Sequence, residues 1–173
     1  MESQSVAAKE VVELLDQHQQ RLVLAESCTA GLVAAEISMV VGVSEFFCGS
    51  AVTYRDATKR SWLDVDGKCI AEQTAVCRDV AEQMVRGVLR KTPEATIAAS
   101  ITGHLGPDVP PDFDGLVFVG VGQQSASEIQ AVEVTKHQLQ ESGRTARQIE
   151  AVGIVFDRLK QRLRGIRADH EPG

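Results

Sequence analysis

The chain has 173 residues, a formal net charge of -6 at pH 7 and a sequence pI near 5.2. A chain of this length can bury a stable core without metal or disulfide staples, so we expect one domain over 1–173, with a core of about 5–164 and a polar tail over 165–173. The acidic balance provides no basic face, which argues against nucleic acid as a partner.

The cysteines and the apolar stretches point to a cytoplasmic protein. Four cysteines contain no C-x-x-C pair, which argues against a zinc site or a thioredoxin-like redox motif and favours reduced thiols. No apolar run approaches the roughly 20 residues that cross a bilayer, and the amino terminus lacks the basic start and apolar block of a signal peptide. We therefore expect no metal and no membrane partner.

Apolar residues recur along the chain at helical and strand periods. The predicted elements, in chain order, are helix 5–19, strand 22–25, helix 29–40 ended by Gly42, strand 49–54, helix 56–63, helix 78–90 stopped by Pro93, strand 95–101, strands 116–121 and 129–135, and helix 143–163. The last two strands are expected to form an antiparallel hairpin around 123–127. Because parallel neighbours need helical crossovers, this order predicts a three-layer α/β/α sandwich with a mostly parallel five-stranded sheet containing one antiparallel strand.

Two turns rich in hydroxyl groups and glycine follow predicted strands. ESCTAG at 26–31 leads into a helix, and TGHLGP at 102–107 follows the buried strand 95–101. Ligands of open parallel sheets bind at the carboxyl ends of the strands, and unpaired N–H groups at a helix start favour anions or developing negative charge. If the two strands are neighbours, the turns form one pocket that suits a phosphorylated ligand.

Tyr54 and Lys59 are candidates for proton transfer beside that pocket. Tyr54 ends a predicted strand, and Lys59 lies one turn into the next helix, so both side chains can reach the same edge of the sheet. Burial of a lysine disfavours its charged form and lowers its pKa, which lets it accept a proton. Spacing alone equally allows Lys59 to be a solvated surface lysine.

Three motifs together resemble one protein family. ESCTAG at 26–31, GVSEFFCGSAVTY continuing to Lys at 42–59, and TGHLGP at 102–107 resemble, in order and spacing, the C-terminal domain of the competence/damage-inducible protein CinA. That family includes stand-alone nicotinamide mononucleotide deamidases. The resemblance, over about 5–160, implies hydrolysis of nicotinamide mononucleotide to nicotinic acid mononucleotide and ammonia, with no metal or organic cofactor.

The resemblance also assigns roles to residues. Ser44, Tyr54 and Lys59 match the catalytic serine, tyrosine and lysine of the family, and we expect Ser44 to attack the carboxamide while Lys59 with Tyr54 moves the proton. Ser27 is the second candidate nucleophile, and a Cys28 thiolate is a third. The expected substrate-binding residues are Ser27, Cys28, Thr29, Gly31, Thr102, Gly103, His104, Gly106 and Arg147.

The sequence departs from the family in the second turn and the loop after it. The family has a glycine-rich loop that ends in K-P-V-G-T-V, but here DVPPDFDGLVFVG lacks the lysine and adds three aspartates. If that loop touches a substrate phosphate, nucleotides should bind more weakly. His104 replaces an apolar residue and could contact phosphate when protonated. Near the last helix, Arg147 is the better candidate for an anion contact, and Arg144 can be simply solvated.

These departures leave three functional readings. The first is the amidohydrolase, the second is a catalytically weakened nucleotide-binding or regulatory paralogue, and the third is an amidase on another small amide. In each, the partner is a small-molecule ligand. Phe46, Phe47 and Trp62 around the expected site suggest a subunit contact, so we also expect a homodimer or a higher homo-oligomer.

Overall fold

A computed structural model describes residues 2–126 and 128–166. The elements are α1 Glu2–Gln17, β1 Leu22–Glu26, α2 Leu32–Ser38, β2 Phe47–Val52, α3 Asp56–Leu63, α4 Gly67–Gln73, α5 Arg78–Lys91, β3 Ile97–Gly103, β4 Leu116–Ser125, β5 Glu128–Ile129, β6 Glu133–Gln138 and α6 Arg144–Arg164, with 3-10 turns at Val43–Glu45 and Pro111–Phe113.

The sheet has the strand order β2-β1-β3-β4, and both β5 and β6 pair with β4. β1 is parallel to β2 and to β3, whereas β4 runs antiparallel to β3 and β6. The predicted mostly parallel sheet with one antiparallel strand is therefore confirmed. A sixth strand arises because the last predicted strand divides into the two-residue β5 and the longer β6.

Helices cover both faces of this sheet because side chains alternate along each strand. Leu22 and Leu24 of β1 pack in a core with residues of α1 and α6, whereas Val23 and Ala25 pack in a second core with α5. The buried stripe of α5 includes Val80, Met84 and Val88, which recur at the helical period. The two cores make the three layers expected from the sequence.

Several boundaries differ from the predictions. α2 begins at Leu32 rather than Thr29 because Ala30 and Gly31 have positive φ angles of 53° and 94°, which a helix cannot include. α4 was not predicted; it is only seven residues long and starts at a glycine after Asp66, whose side chain accepts a hydrogen bond from Lys68 N. β4 extends through most of the predicted 123–127 loop, and most of the predicted tail, 167–173, lies outside the described residues.

The strand register decides which residues can meet. At the start of β1, Leu22 pairs with Phe47 and with Ile97, and at its end Glu26 pairs with Val52 and with Ile101. The residues that directly follow these three strands therefore share the carboxyl edge of the sheet. Residues that precede them lie at the opposite edge.

Candidate active site

A cavity of about 250 Å³ lies at the carboxyl edge of the parallel strands. The turns after β1 and β2, the end of β3 with its following loop, and the starts of α3 and α6 all contribute to its wall. The lining residues are Ser27, Cys28, Tyr54, Asp56, Lys59, Ala75, Val76, Thr102, Gly103, His104, Leu105, Gly106, Pro107, Val109 and Arg144. The two predicted turns thus do form one pocket. Larger depressions of about 520, 480, 460 and 290 Å³ lie elsewhere, and none of them has a lysine among its described lining residues.

Ser27 and Lys59 form a buried pair in this cavity. Lys59 Nζ lies 2.9 Å from Ser27 Oγ and 2.9 Å from the carbonyl oxygen of Thr53. The lysine side chain is 1% exposed and Ser27 is 6% exposed. α3 holds the lysine under the turn that follows β1, so the reading of Lys59 as a solvated surface residue is wrong.

The surroundings of Lys59 make its ammonium easier to deprotonate. Burial lowers the pKa of the Lys59 ammonium, and the negative charge of the nearby Asp56 acts in the opposite direction. A charged lysine donates to Ser27 Oγ, whereas a neutral lysine can accept the serine proton over the same 2.9 Å. The pair therefore has the geometry of a nucleophile and its general base.

Cys28 is poorly suited to act as a thiolate. Burial raises the pKa of its thiol to about 12, and the attraction of its own backbone N–H and of Lys59 offsets this only in part. At neutral pH the thiol is therefore protonated and a weak nucleophile. All four cysteines are unpaired.

Glu26 organises the first turn. This carboxylate is 1% exposed and accepts hydrogen bonds from the Thr29 and Ser50 hydroxyls. It also accepts from the backbone N–H groups of Gly31, Val33 and Ala34, at 3.0 Å each. The free amides at the start of α2 are thus satisfied by a side chain of the same chain.

Thr29 and Gly31 therefore lie outside the cavity, and their contact with a substrate stays a prediction. Both residues donate to Glu26, and neither lines the cavity. Gly31 instead supplies the left-handed conformation, with φ of 94°, in which the turn enters the helix. The amide N–H of Cys28 differs, since it donates to no other residue within 2–126 and 128–166 and belongs to a residue that lines the cavity.

The second turn forms the opposite wall. Thr102 Oγ1 donates to the carbonyl oxygen of Ala75, which ties β3 to the segment before α5. Gly103 packs so closely on β4 that an added Cβ would lie 2.4 Å from Val117 Cγ1. The ring of His104 meets Phe113 edge to face at 5.8 Å, and burial lowers the pKa of this histidine. His104 is therefore less able to carry the positive charge that a phosphate contact needs.

The two arginines at the start of α6 have different partners. Arg147 forms a two-pronged ion pair with Asp114, at 2.6 and 2.9 Å, and donates to the carbonyl oxygens of Leu105 and Glu141. It does not line the cavity. Arg144 does line it, and donates to Tyr54 Oη at 2.5 Å and to the carbonyl oxygen of Gly106 at 3.0 Å. Arg144 is thus the arginine at the cavity, exposed and bonded to the protein at once, and an anion contact of Arg147 stays a prediction.

Ser44 does not meet Lys59 within one chain. It lies in the 3-10 turn Val43–Glu45 that precedes β2, at the amino edge of the sheet, in a separate depression with Arg21 and Glu94. Lys59 lies under the carboxyl edge, so the expected cleft that joins Ser44 and Lys59 is absent from a single chain. The serine that meets Lys59 is Ser27, the second candidate nucleophile.

Asp56 and Arg144 are site residues that the sequence interpretation missed. Asp56 directly follows the segment after β2, and this position in the chain indicates that it lies at the carboxyl edge of the sheet. For Arg144 the sequence gives a weaker indication of a place in the site, namely its position at the start of a helix.

Within the described part of the chain, no three His, Cys, Asp or Glu side chains are grouped to hold a metal ion. No described helix has the length and apolarity to cross a membrane.

Comparison with known proteins agrees with the motifs. A family model described as the CinA C-terminal domain matches residues 4–163. The chain belongs to this family. A CinA-like protein of Myxococcus xanthus is 40% identical over 120 residues, which are 68% of this chain and 28% of the relative. A CinA-like protein of Synechococcus sp. CC9311 is 37% identical over 158 residues, 90% of this chain and 36% of the relative. The chain therefore spans about a third of these longer CinA-like relatives.

Solved structures of the CinA family share the fold. The competence damage-inducible protein A of Klebsiella pneumoniae superposes with a TM-score of 0.87 at 25% identity, covering 95% of this chain and 99% of that one. The competence/damage inducible protein CihA of Agrobacterium tumefaciens gives a TM-score of 0.85 at 26% identity, covering 93% and 95%. Each match extends over nearly the whole described chain.

Proposed function

We propose that this chain is a serine amidohydrolase that releases ammonia from the carboxamide of a nicotinamide compound, with Ser27 as nucleophile and Lys59 as general base. The observation that carries the proposal is the buried contact of 2.9 Å between Lys59 Nζ and Ser27 Oγ, at the carboxyl edge of the sheet. Nicotinamide mononucleotide, the substrate that the family resemblance implies, is the first compound to assay.

The reaction follows from the positions of these two side chains. Neutral Lys59 takes the Oγ proton while Ser27 Oγ bonds to the carboxamide carbon. Collapse of the tetrahedral intermediate breaks the C–N bond, and Lys59 returns the proton to the departing nitrogen, so that ammonia leaves. Water then attacks the acyl-serine with Lys59 again as base, which releases the carboxylic acid and restores the serine.

The turn supplies a donor for the developing oxyanion. The backbone N–H of Cys28 follows the nucleophile directly and donates to no other described residue. An N–H in this position stabilises the oxyanion in hydrolases whose serine lies on a strand-to-helix turn. One such donor contributes about 3 kcal/mol to the transition state. The hydroxyl of Tyr54, held by Arg144, lies in the same cavity and can contact the leaving amide nitrogen.

The proposal also accounts for a lysine that would otherwise be costly. A buried ammonium without a carboxylate partner destabilises a fold, and Lys59 makes no ion pair with a described residue. A regulatory relative that has lost catalysis would have no need for this arrangement. Its presence next to a serine favours the hydrolase over the regulatory reading.

The test compares two serine variants in an ammonia-release assay. Ser27→Ala should lower kcat by at least about 1,000-fold, because it removes both the nucleophile and its proton transfer. Ser44→Ala is the matched control and should stay within about threefold of the parent, because it lies at the opposite edge of the sheet. Thermal unfolding of both variants checks that they are folded.

The converse result would overturn the assignment. If Ser27→Ala turns over normally while folded Ser44→Ala is inactive, Ser27 is not the nucleophile and Ser44 must reach the cavity from a second copy of the chain. A folded parent protein that releases no ammonia from any nicotinamide compound would contradict the hydrolase itself.

A further inference from the structure

Two cysteines outside the cavity lie side by side where α4 leads into α5. Cys69 belongs to α4 and Cys77 directly precedes α5, and their thiols are in side-chain hydrogen-bonding contact. Both cysteines are free, and both pack in the same apolar core. We propose that a peroxide converts this pair into a reversible disulfide, and that the new bond alters the wall of the active-site cavity.

The contacts around the two sulfurs hold them together. Gln73 Nε2 lies 4.0 Å from Cys69 Sγ and 2.8 Å from Asp79 Oδ2, so one side-chain amide joins the end of α4 to the first turn of α5. Cys77 is the N-cap of α5, and its Sγ accepts the N–H of Val80 at 3.5 Å. Because the cysteines are close both in space and along the chain, a bond between them closes only a short loop, which costs little chain entropy.

The two sulfurs are suited to different steps of the oxidation. The N–H of Val80 stabilises negative charge on Cys77 Sγ, whereas burial raises the pKa of Cys69 to about 11. Cys77 Sγ therefore attacks the peroxide, whose O–O bond breaks to give a sulfenic acid and one water. Cys69 Sγ then attacks Cys77 Sγ, the S–O bond breaks, and the hydroxyl leaves with the Cys69 proton as a second water. Two thiols are thereby oxidised to a disulfide while one hydrogen peroxide is reduced to two waters.

The shortness of α4 gives a peroxide access to the pair. Each of the two cysteines is 8% exposed. The helix has only seven residues, however, and its end together with the next residue, 71–74, is exposed. Segments with few buried contacts open locally far more often than the core of a fold. Local opening of α4 can therefore expose the thiols while the sheet stays folded.

The segment between the cysteines is part of the cavity wall. Ala75 and Val76 line the cavity, and the carbonyl oxygen of Ala75 accepts the Thr102 hydroxyl at 2.8 Å. Thr74 has a φ of 74°, a strained conformation for a β-branched residue, so this segment has little freedom to absorb a displacement of its ends. A covalent bond draws two sulfurs closer than any non-bonded contact does. Oxidation should therefore move Ala75 and Val76.

Mass measurement tests the bond without an enzyme assay. The full chain is treated with a small excess of hydrogen peroxide, its free thiols are alkylated, and trypsin then releases residues 69–78 as one peptide that contains both cysteines. We expect this peptide to escape alkylation, to be lighter by two hydrogen atoms, and to become open to alkylation after dithiothreitol. Alkylation of both its cysteines after peroxide overturns the proposal, as does a bond from either of them to Cys28 or Cys48.

Two further measurements test the effect on the cavity. Ammonia release rests on the proposed amidohydrolase: a misplacement of about 1 Å can cost about 100-fold, so kcat/KM for nicotinamide mononucleotide should fall at least about fivefold on oxidation and recover with dithiothreitol. Amide hydrogen exchange over 102–107 needs no turnover and should differ between the reduced and oxidised chains. A disulfide that forms while exchange stays the same overturns the effect on the wall, even if the parent chain releases no ammonia.

Cysteine variants assign the effect to this pair. Neither cysteine lines the cavity, so Cys69→Ser and Cys77→Ser should keep kcat/KM within about twofold of the parent before and after peroxide, and serine remains a good N-cap at 77. Cys48→Ser is the matched control: Cys48 is half-buried in the depression at the amino edge of the sheet, and this variant should lose activity as the parent does. A loss in Cys69→Ser equal to that of the parent would assign the effect to another thiol and overturn the proposal.

Discussion

Replacing Glu26 by glutamine tests whether one buried carboxylate holds the turn that carries the nucleophile. One carboxylate oxygen accepts from Thr29, Gly31 and Val33, and the other accepts from Ala34 N–H and the Ser50 hydroxyl. A glutamine keeps only one of these oxygens. Depending on the orientation of the amide, its NH₂ group then faces either the two donors at one oxygen position or the three donors at the other.

The magnitude follows from those contacts. In the better orientation the NH₂ group faces Ala34 and Ser50, and the Ser50 hydroxyl can rotate to accept while the Ala34 N–H cannot. An unsatisfied buried donor costs about 1 to 3 kcal/mol, and the three remaining bonds weaken because their acceptor loses its charge. We expect Glu26→Gln to lower the free energy of unfolding by about 3 kcal/mol.

Urea unfolding measures this change. With a slope of about 2 kcal/mol per molar urea, a loss of about 3 kcal/mol moves the midpoint down by about 1.5 M. Glu72→Gln is the matched control, because Glu72 is an exposed helical carboxylate without a hydrogen bond or ion pair to a described residue, and its midpoint should hardly change. Equal midpoints for the two variants would refute the role assigned to Glu26.

Four further predictions concern single groups. Because burial lowers the pKa of Lys59, kcat/KM should rise with pH with a midpoint below the ordinary value of 10.5, and a flat pH profile would contradict Lys59 as base. Because burial raises the pKa of Cys28 to about 12, activity should survive thiol alkylation at neutral pH. Gly103→Ala should lower the free energy of unfolding by about 1 to 3 kcal/mol in urea titration, since its Cβ would lie 2.4 Å from a methyl carbon on β4. Arg147 lowers the pKa of the Asp114 carboxyl. The ion pair therefore stabilises the fold at pH values above the carboxyl pKa of the unfolded chain, and this stabilisation is lost as the pH falls. The Tm of Asp114→Asn should differ from that of the parent at neutral pH, and the two Tm values should converge in acid.

The spacing of apolar residues predicted most of the fold, because the spacing that marks each helix or strand lies within that element. α3 begins and ends at the predicted residues, and α5 differs by one residue, since its apolar stripe recurs over 14 residues. α4 escaped detection because seven residues with one glycine at the start give too few apolar positions for a period. The late start of the second predicted helix depends on Glu26, which accepts hydrogen bonds from the amides of the turn, and apolar spacing gives no sign of those bonds.

The position of each site residue before or after a parallel strand indicates which of them can meet, although the motif resemblance pointed to Ser44. Ser27 and Tyr54 follow parallel strands, whereas Ser44 precedes one, and this difference alone assigns Ser44 to the opposite edge of the sheet. The choice between Arg144 and Arg147 had no such local signal. It depends on Asp114, which lies 33 residues before Arg147 in the chain and pairs with it across space.

The residues proposed for catalysis and the loop that affects the charge near a ligand belong to different elements of this fold. One can therefore change without the other. Ser27 and Lys59 are held by the end of β1 and by α3, and their contact needs nothing from the loop after β3. That loop supplies Asp114, which occupies Arg147 at the start of α6. Substitutions in the loop can therefore alter the charge that a ligand meets while the serine and lysine keep their geometry. The contact between Ser27 and Lys59 can therefore persist whatever charges that loop carries.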